Sequence, residues 1–440
     1  MSEKVLEFER LIKAEVIQRR EEGCDVREIE GKLLSLREKD CRDFDSLYDE
    51  LQKLNPVQDF PFKEPLTFME IKASKPRGSR SLGVTFTEEE LLDRIHGAWL
   101  GRCAGCLLGK PVEGWSRERI EAYLGLADAY PLSNYFPVIK PIPEGYPASL
   151  MEDKCTLGNI EYMVRDDDID YTVMGLHILE SRGLTFTTED VGFEWLTHIP
   201  YLCVYTAESM AYRNLVLGLQ PPATATYRNP YREWIGAQIR ADMWGYVTPG
   251  MPELGAEFAY RDASQSHVKN GVYGAMFVSA MLSAAFAVED LEEVVRIGLS
   301  EIPKGSRLSE AIRDTMDWSR SFSDWRQTWV KVMGKYGRYH PVHTINNVAM
   351  VVIGLLYGGG DFEKSIATSV MCGLDTDCNG ATTGSILGML LGAKKLPRKW
   401  TSPLNDRVLS YVSGFDDSRI STLAERTVTV AKANSLSELG

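Results

Sequence analysis

No run of 18 or more apolar residues occurs in the sequence, so no membrane-spanning helix is expected. Runs of five or six basic residues are also missing. With 49 Lys and Arg against 62 Asp and Glu, the formal charge is −13, which makes nucleic acid and anionic membrane poor partners. The first twenty residues interleave charge with apolar side chains and lack the apolar core of a signal peptide, so the cytoplasm is the expected compartment. The eight cysteines are scattered along 440 residues, a pattern of reduced thiols rather than of a disulfide framework. Cys103 and Cys106 form a C-x-x-C, but no second pair follows and none of the six histidines supplies a companion H-x₃₋₅-H. Small residues recur among apolar ones around the pair (GAWLGRCAGCLLG), as in a tightly packed helix, so both thiols are expected to be buried there.

What is present is a folded composition, 44% hydrophobic and 25% charged. Clean period-two alternation is scarce and no βαβ spacing repeats, whereas segments of helical period recur at 172–182, 204–218, 267–288, 343–358, 364–373 and 379–393. The expected class is all-α, with one large helical domain over 81–440. Thr87 with Glu90 three residues later forms a capping box that launches it. Residues 1–80 read as a helical extension and linker. Its narrow apolar stripes (Ile12, Ile29, Leu33, Leu47, Leu51) suit packing on the main body or on a second copy of the chain, a homodimer being one outcome. The stretch 56–85 reads as a linker or extended wrap, and 114–165, rich in Pro, Gly and Tyr, as a long irregular insertion.

Two acidic groups stand out. Asp166-Asp167-Asp168-Ile169-Asp170 precedes one helical segment, and Asp375-Thr376-Asp377 opens another that is rich in small residues. First-turn carboxylates gain about 0.3–1 kcal/mol each from the helix dipole. That accounts for one or two aspartates. Three in succession repel one another unless a cation holds them, and hard divalent ions prefer such oxygen donors.

The ordered set GAWLGRCAGCLLGKPVEGW, DDDIDYT and GLDTDCNGATTGSILGMLLGA resembles the ADP-ribosylglycohydrolase family of the dinitrogenase-reductase-activating type, over about residues 90 to 395. The family's motifs run Gly-x-x-x-Gly-Asp-Ala-Leu-Gly-x-Pro-x-Glu, Thr-Asp-Asp-Thr and Gly-Gly-Asp-Thr-Asp-Thr. The resemblance implies an all-α fold, two Mg²⁺ or Mn²⁺ ions, and hydrolysis at ribose C1 of ADP-ribosylated proteins or small molecules. It implies metal ligands at Asp166, Asp167, Asp168, Asp375 and Asp377, and catalytic roles for Asp168 and Glu113. Trp234-Ile-Gly-Ala-Gln-Ile-Arg240 resembles the family's Gly-Asn-Gly-x-x-Met-Arg loop, and Asp262-Ala-Ser-Gln-Ser-His267 a ribose-side segment. Gly236, Gln238, Ser266 and His267 are the implied substrate-binding residues.

The sequence departs from the family at the site itself. Cys106 stands for an aspartate, Asp166 and Cys378 for threonines, and Trp234-Ile235 for Gly-Asn. A thiol is a poor donor to Mg²⁺, so two cations of unequal affinity are expected. The implied mechanism is cation-assisted glycosidic hydrolysis, with Asp168 positioning water and Glu113 as acid or base at C1. Two alternatives stay open: a hydrolase of another ribosyl or nucleoside compound, and a non-catalytic nucleotide-binding relative.

Overall fold

The computed structural model describes residues 3–36, 40–78 and 80–437. The remainder of the spans 1–80 and 81–440 lies outside the described residues. Twenty-two α-helices account for the architecture, and the only strands among the described residues are Arg407–Leu409 and Asp417–Arg419, paired antiparallel. The all-α expectation is met.

Helices Glu3–Glu21, Arg27–Ser35 and Cys41–Gln52 close around their own small core of Ile12, Val16, Val26, Ile29, Phe44, Leu47 and Leu51. This core is separate from that of the main body. Polar contacts dock it: buried Arg232 reaches Glu15 at 2.8 Å and Glu22 at 3.1 Å, and the Tyr48 hydroxyl accepts from the Arg228 amide at 2.8 Å. The stretch 56–85 is not wholly extended. Thr67 and Glu70 form a reciprocal capping box that launches a short helix, Phe68–Ser74, and Lys75 behind it pairs with the buried Glu301 at 2.6 Å. Likewise 114–165 contains a helix, Arg117–Leu126, whose cap is the Ser116 hydroxyl accepting from the Arg119 amide at 3.3 Å. Both helices are signalled by their caps rather than by apolar period.

The Gly-rich helix Glu88–Gly109 begins at the expected Thr87 cap, where the Thr87 amide donates to Glu90 Oε2 at 2.9 Å. It runs against helix Thr376–Leu391 at backbone distance. A β-carbon on Gly97, Gly101, Gly105 or Gly109 would overlap the carbonyl oxygen of Gly388, Gly384, Gly380 or Thr376 respectively. Glycine every fourth residue on both helices makes one continuous bare stripe, which only this residue permits. Cys103 and Cys106 are fully buried, as expected, and Cys24, Cys103, Cys106, Cys155, Cys203, Cys372 and Cys378 are free thiols. Helix Asn270–Ala285, apolar or small all round, is buried along its whole length at the centre of the body.

Candidate metal centre

The bare glycine crossing delivers the last turn of one helix to the first turn of the other, and both acidic groups meet there. Pro111 ends the Gly-rich helix in a single 3₁₀ turn, after which Glu113 projects from an exposed loop. The Thr376 hydroxyl donates to the Gly109 carbonyl at 2.8 Å. Next to it, the Gly114 amide donates to the Leu374 carbonyl at 2.9 Å and the Leu374 amide to the Trp115 carbonyl at 3.3 Å. Leu374 holds φ +67°, a left-handed backbone that costs an L-residue energy and that this short ladder sustains. Asp375 is thereby held beside Glu113. Its amide donates to Asn347 Oδ1 at 3.2 Å, an oxygen that also accepts from Asn379 Nδ2 at 2.8 Å.

The other acidic group is the N-terminus of helix Asp167–Arg182. Asp166 is its cap, Oδ1 accepting from the Asp168 amide at 2.9 Å, while Oδ2 pairs with the Lys110 ammonium. Asp168 follows two residues on and is buried. Its Oδ1 is 3.1 Å from Arg102 Nη2, and its Oδ2 accepts from the Cys378 thiol at 3.3 Å. Arg102 is fully buried in the Gly-rich helix. It also donates to the Asp168 carbonyl, to the Ile239 carbonyl and to Asp242 Oδ2 at 2.9 Å.

Three overlapping triads emerge: Glu113, Asp375 and Asp377; Asp168, Asp377 and Cys378; and Cys106, Asp166 and Asp168. Within each, the ligand atoms lie within 4.8 Å of one another. Burial and then the neighbouring carboxylates push Asp168 and Asp377 well above the usual carboxylate range, with Arg102 opposing this at Asp168. Desolvation and Asp375 likewise raise Glu113, and burial raises Asp375. Asp377 Oδ1 is buried with no hydrogen-bond partner. A buried carboxylate oxygen without a donor is costly, and a hard cation is the ligand that an all-oxygen triad suits. The donor set therefore fits a divalent ion best at Glu113, Asp375 and Asp377. The fit is poorer around Asp166, where Lys110 already supplies positive charge and the adjoining groups Cys106 and Cys378 are soft.

Of the sequence-derived residues, Glu113, Asp166, Asp168, Asp375 and Asp377 meet in this cluster. Asp167 is half-exposed beside them, its carboxyl raised by burial and by Asp166. Asp170 faces away, pairing with Arg165 at 2.8 Å and accepting from the Tyr411 amide at 3.0 Å. Gly236, Gln238, Ser266 and His267 are fully enclosed. Ser266 Oγ accepts from Arg240 at 2.9 Å and lies 2.8 Å from His267 Nδ1. Arg240 in turn pairs with Glu208 and with Asp262 at 2.6 Å. Burial, and then Arg240, hold His267 well below the ordinary imidazole range. Gln238 is buried with neither amide atom partnered. At the rim of this segment Trp234 stacks on His340 with ring centroids 4.0 Å apart.

Sequence reasoning missed Arg102, Lys110 and Asn347. Arg102 had a readable signal, since a charge inside an apolar, glycine-rich helix needs a buried partner. Lys110 and Asn347 had none beyond their neighbourhood.

An all-α body that gathers carboxylates at the meeting of two helix ends presents the oxygen-rich donor set that a hard cation prefers. A family model described as ADP-ribosylglycohydrolase matches residues 87–436, and the chain belongs to that family. Its fold and lineage are those of glycosidic hydrolases of the ADP-ribosylglycohydrolase type. Among solved structures the chain is similar to one described as "ADP-ribosylglycohydrolase-related protein complex". Identity there is 19%, with 78% of this chain and 99% of that chain covered and a TM-score of 0.49. No curated protein matches.

Proposed function

We propose that the protein hydrolyses the glycosidic bond at ribose C1 of an ADP-ribosylated protein or small molecule. The observation that carries this reading is that Asp377 is shared by two triads, one with Glu113 and Asp375 and one with Asp168 and Cys378, and keeps a buried oxygen without a hydrogen-bond partner. Two divalent cations of unequal affinity, Mg²⁺ or Mn²⁺, would supply Lewis-acid hold on the ribose hydroxyls and acidify a water.

Asp375 and Asp377 would hold the stronger cation, and Asp166, Asp167 and Asp168 the weaker. Asp168 has its orientation set by Arg102 and Cys378 and is the residue to position the attacking water. Glu113, at the exposed edge of the cluster, would act as acid or base toward the group leaving, or the water arriving at, ribose C1, where an oxocarbenium-like state profits from a neighbouring carboxyl group. Gly236, Gln238, Ser266 and His267 would shape the substrate side from below. Arg102 couples that segment to Asp168 through the Ile239 carbonyl.

Residues 81–440 are the proposed catalytic unit and 1–80 an extension docked on it, with the cytoplasm as compartment. Self-association through the extension is decided by light scattering. The test of function is a screen of ADP-ribosyl-arginine, ADP-ribosyl-serine, O-acetyl-ADP-ribose and simple nucleosides with Mg²⁺ or Mn²⁺. Turnover that disappears in Asp375→Asn is expected. Turnover of every active substrate unchanged in Asp375→Asn and Asp168→Asn refutes the proposal. Turnover confined to nucleosides favours the alternative reading, for which Trp234-Ile235, bulkier than the family's Gly-Asn, is the specific support.

A further inference from the structure

Helix Asp167–Arg182 carries a second cluster well along its length from the acidic one. His177 of that helix faces Glu194 and His198, which lie one turn apart on helix Thr188–His198. His177 Nε2 is 2.9 Å and His198 Nδ1 3.0 Å from the same oxygen, Glu194 Oε2. The two imidazole rings lie 4.1 Å apart between centroids, inclined at 50°. The three donor atoms lie within 4.8 Å of one another. Glu194 is buried, with 4% of its side chain exposed, while His177 and His198 keep 18% and 27%, so solvent reaches the cluster from one side.

We propose that His177, Glu194 and His198 form a transition-metal site of the Zn²⁺ class, independent of the acidic cluster, with solvent supplying the fourth position. Two imidazoles and one carboxylate are a borderline donor set that suits zinc far better than Mg²⁺. Bonds of about 2.0–2.1 Å at tetrahedral angles put ligand atoms roughly 3.3 Å apart, close to the 2.9 and 3.0 Å at which the two imidazoles meet Glu194, and His198 Nδ1 would exchange its present contact with the Thr197 hydroxyl at 2.8 Å for the ion. The carboxylate is already oriented from behind. Glu194 Oε1 accepts from Arg182 Nε at 2.7 Å and pairs with Nη2 at 2.6 Å, as outer partners commonly fix a ligating carboxylate. Arg182 is itself balanced by Asp190 at 3.6 Å. With neutral imidazoles the four facing groups, Arg182, Asp190, Glu194 and the histidine pair, sum to one negative charge, which favours a cation. An ion there would fasten helix Thr188–His198 to the helix whose first turn holds Asp168. The donors come from two helices and are 17 and 21 residues apart (177 to 194, 177 to 198), so no short motif marks them.

The full chain, freed of metal and then kept in excess Mg²⁺ to occupy the carboxylate cluster, is titrated with Zn²⁺ by calorimetry and with Co²⁺ by visible absorption. Because Cys378 offers zinc a rival thiol beside Asp168, Cys378→Ser is the background for every variant. One equivalent of Zn²⁺ is expected to persist in Mg²⁺, to give Co²⁺ a tetrahedral-type spectrum and to raise the melting temperature. His177→Gln and His198→Gln keep a hydrogen-bonding side chain toward Glu194, so folding should survive and be verified by circular dichroism. Each is expected to weaken Zn²⁺ at least tenfold, and the double variant to abolish it. No zinc binding in excess Mg²⁺, or zinc binding unchanged in the folded double variant, overturns the proposal.

Discussion

Lys110 is the residue whose removal tests the proposed unequal cation affinities most directly. Its ammonium sits on Asp166, whose side chain is 1% exposed, while 31% of the lysine side chain remains accessible. Burial works against the ammonium, yet Asp166, with Cys106 and Asp377 farther off, keeps its pKa raised and the charge in place. A unit and a double positive charge about 4 Å apart repel by roughly 8 kcal/mol at an effective dielectric of 20. The ammonium and a divalent ion therefore do not share Asp166, and the ion must first displace the lysine. Breaking one charge-assisted hydrogen bond costs about 1.5–3 kcal/mol, which corresponds to roughly tenfold to a hundredfold in affinity. Lys110→Met keeps the stem and deletes the charge. Calorimetric titration with Mg²⁺ or Mn²⁺ should then show the weaker of two binding events tightened by that factor, and the stronger one, whose ligands Asp375 and Asp377 also feel the ammonium without being paired to it, tightened less. Identical isotherms for variant and parent refute the reasoning.

Three further outcomes follow from the geometry. Asp377 has a folded pKa raised above its unfolded value, so the proton stabilises the folded state at low pH, and that contribution is lost as pH rises above the unfolded carboxylate range toward the raised folded value. Metal-free Asp377→Asn should consequently gain stability over the parent as pH increases, and Mg²⁺, by stabilising the parent and not the variant, should cancel that difference, as read by thermal melts across pH. Arg102→Met strands Asp168 and Asp242 in the interior and should destabilise by about 3–5 kcal/mol in urea unfolding. Gly105→Ala drives a methyl into the Gly380 carbonyl and should cost at least about 1–3 kcal/mol by the same assay, while Gly125→Ala, with open space around it, should not.

The legible part of this protein was the part governed by local chemistry. Thr87 with Glu90, the four-residue glycine spacing and the two aspartate groups each announce themselves within a dozen residues, and each stands where its type requires. The helices inside the segments 56–85 and 114–165 are hard to read because their starting signal is a cap, Thr67 or Ser116, and not an apolar stripe. The partners of the acidic cluster were harder still. Nothing adjacent to Asp166 says that Lys110 will reach it, since the contact spans 56 residues and exists only because the glycine crossing brings one helix end against two others. Arg102 spans 66 residues to Asp168 and 140 to Asp242. Both cations belong to the Gly-rich helix, so the stripe that looked like a packing motif also carries the counter-charges of the site. This bears on the departures from the family pattern. Asp166 adds a negative charge where a hydroxyl is usual, and Cys106 removes one where a carboxylate is usual. The two exchanges together keep the number of carboxylates while moving one from the Gly-rich helix to Asp166, the residue that pairs with Lys110. The altered residues act as a set, and replacing Asp166 by Thr alone would leave Lys110 facing a cluster short of one carboxylate. The double replacement Asp166→Thr with Cys106→Asp should bind the second cation more tightly than either single one.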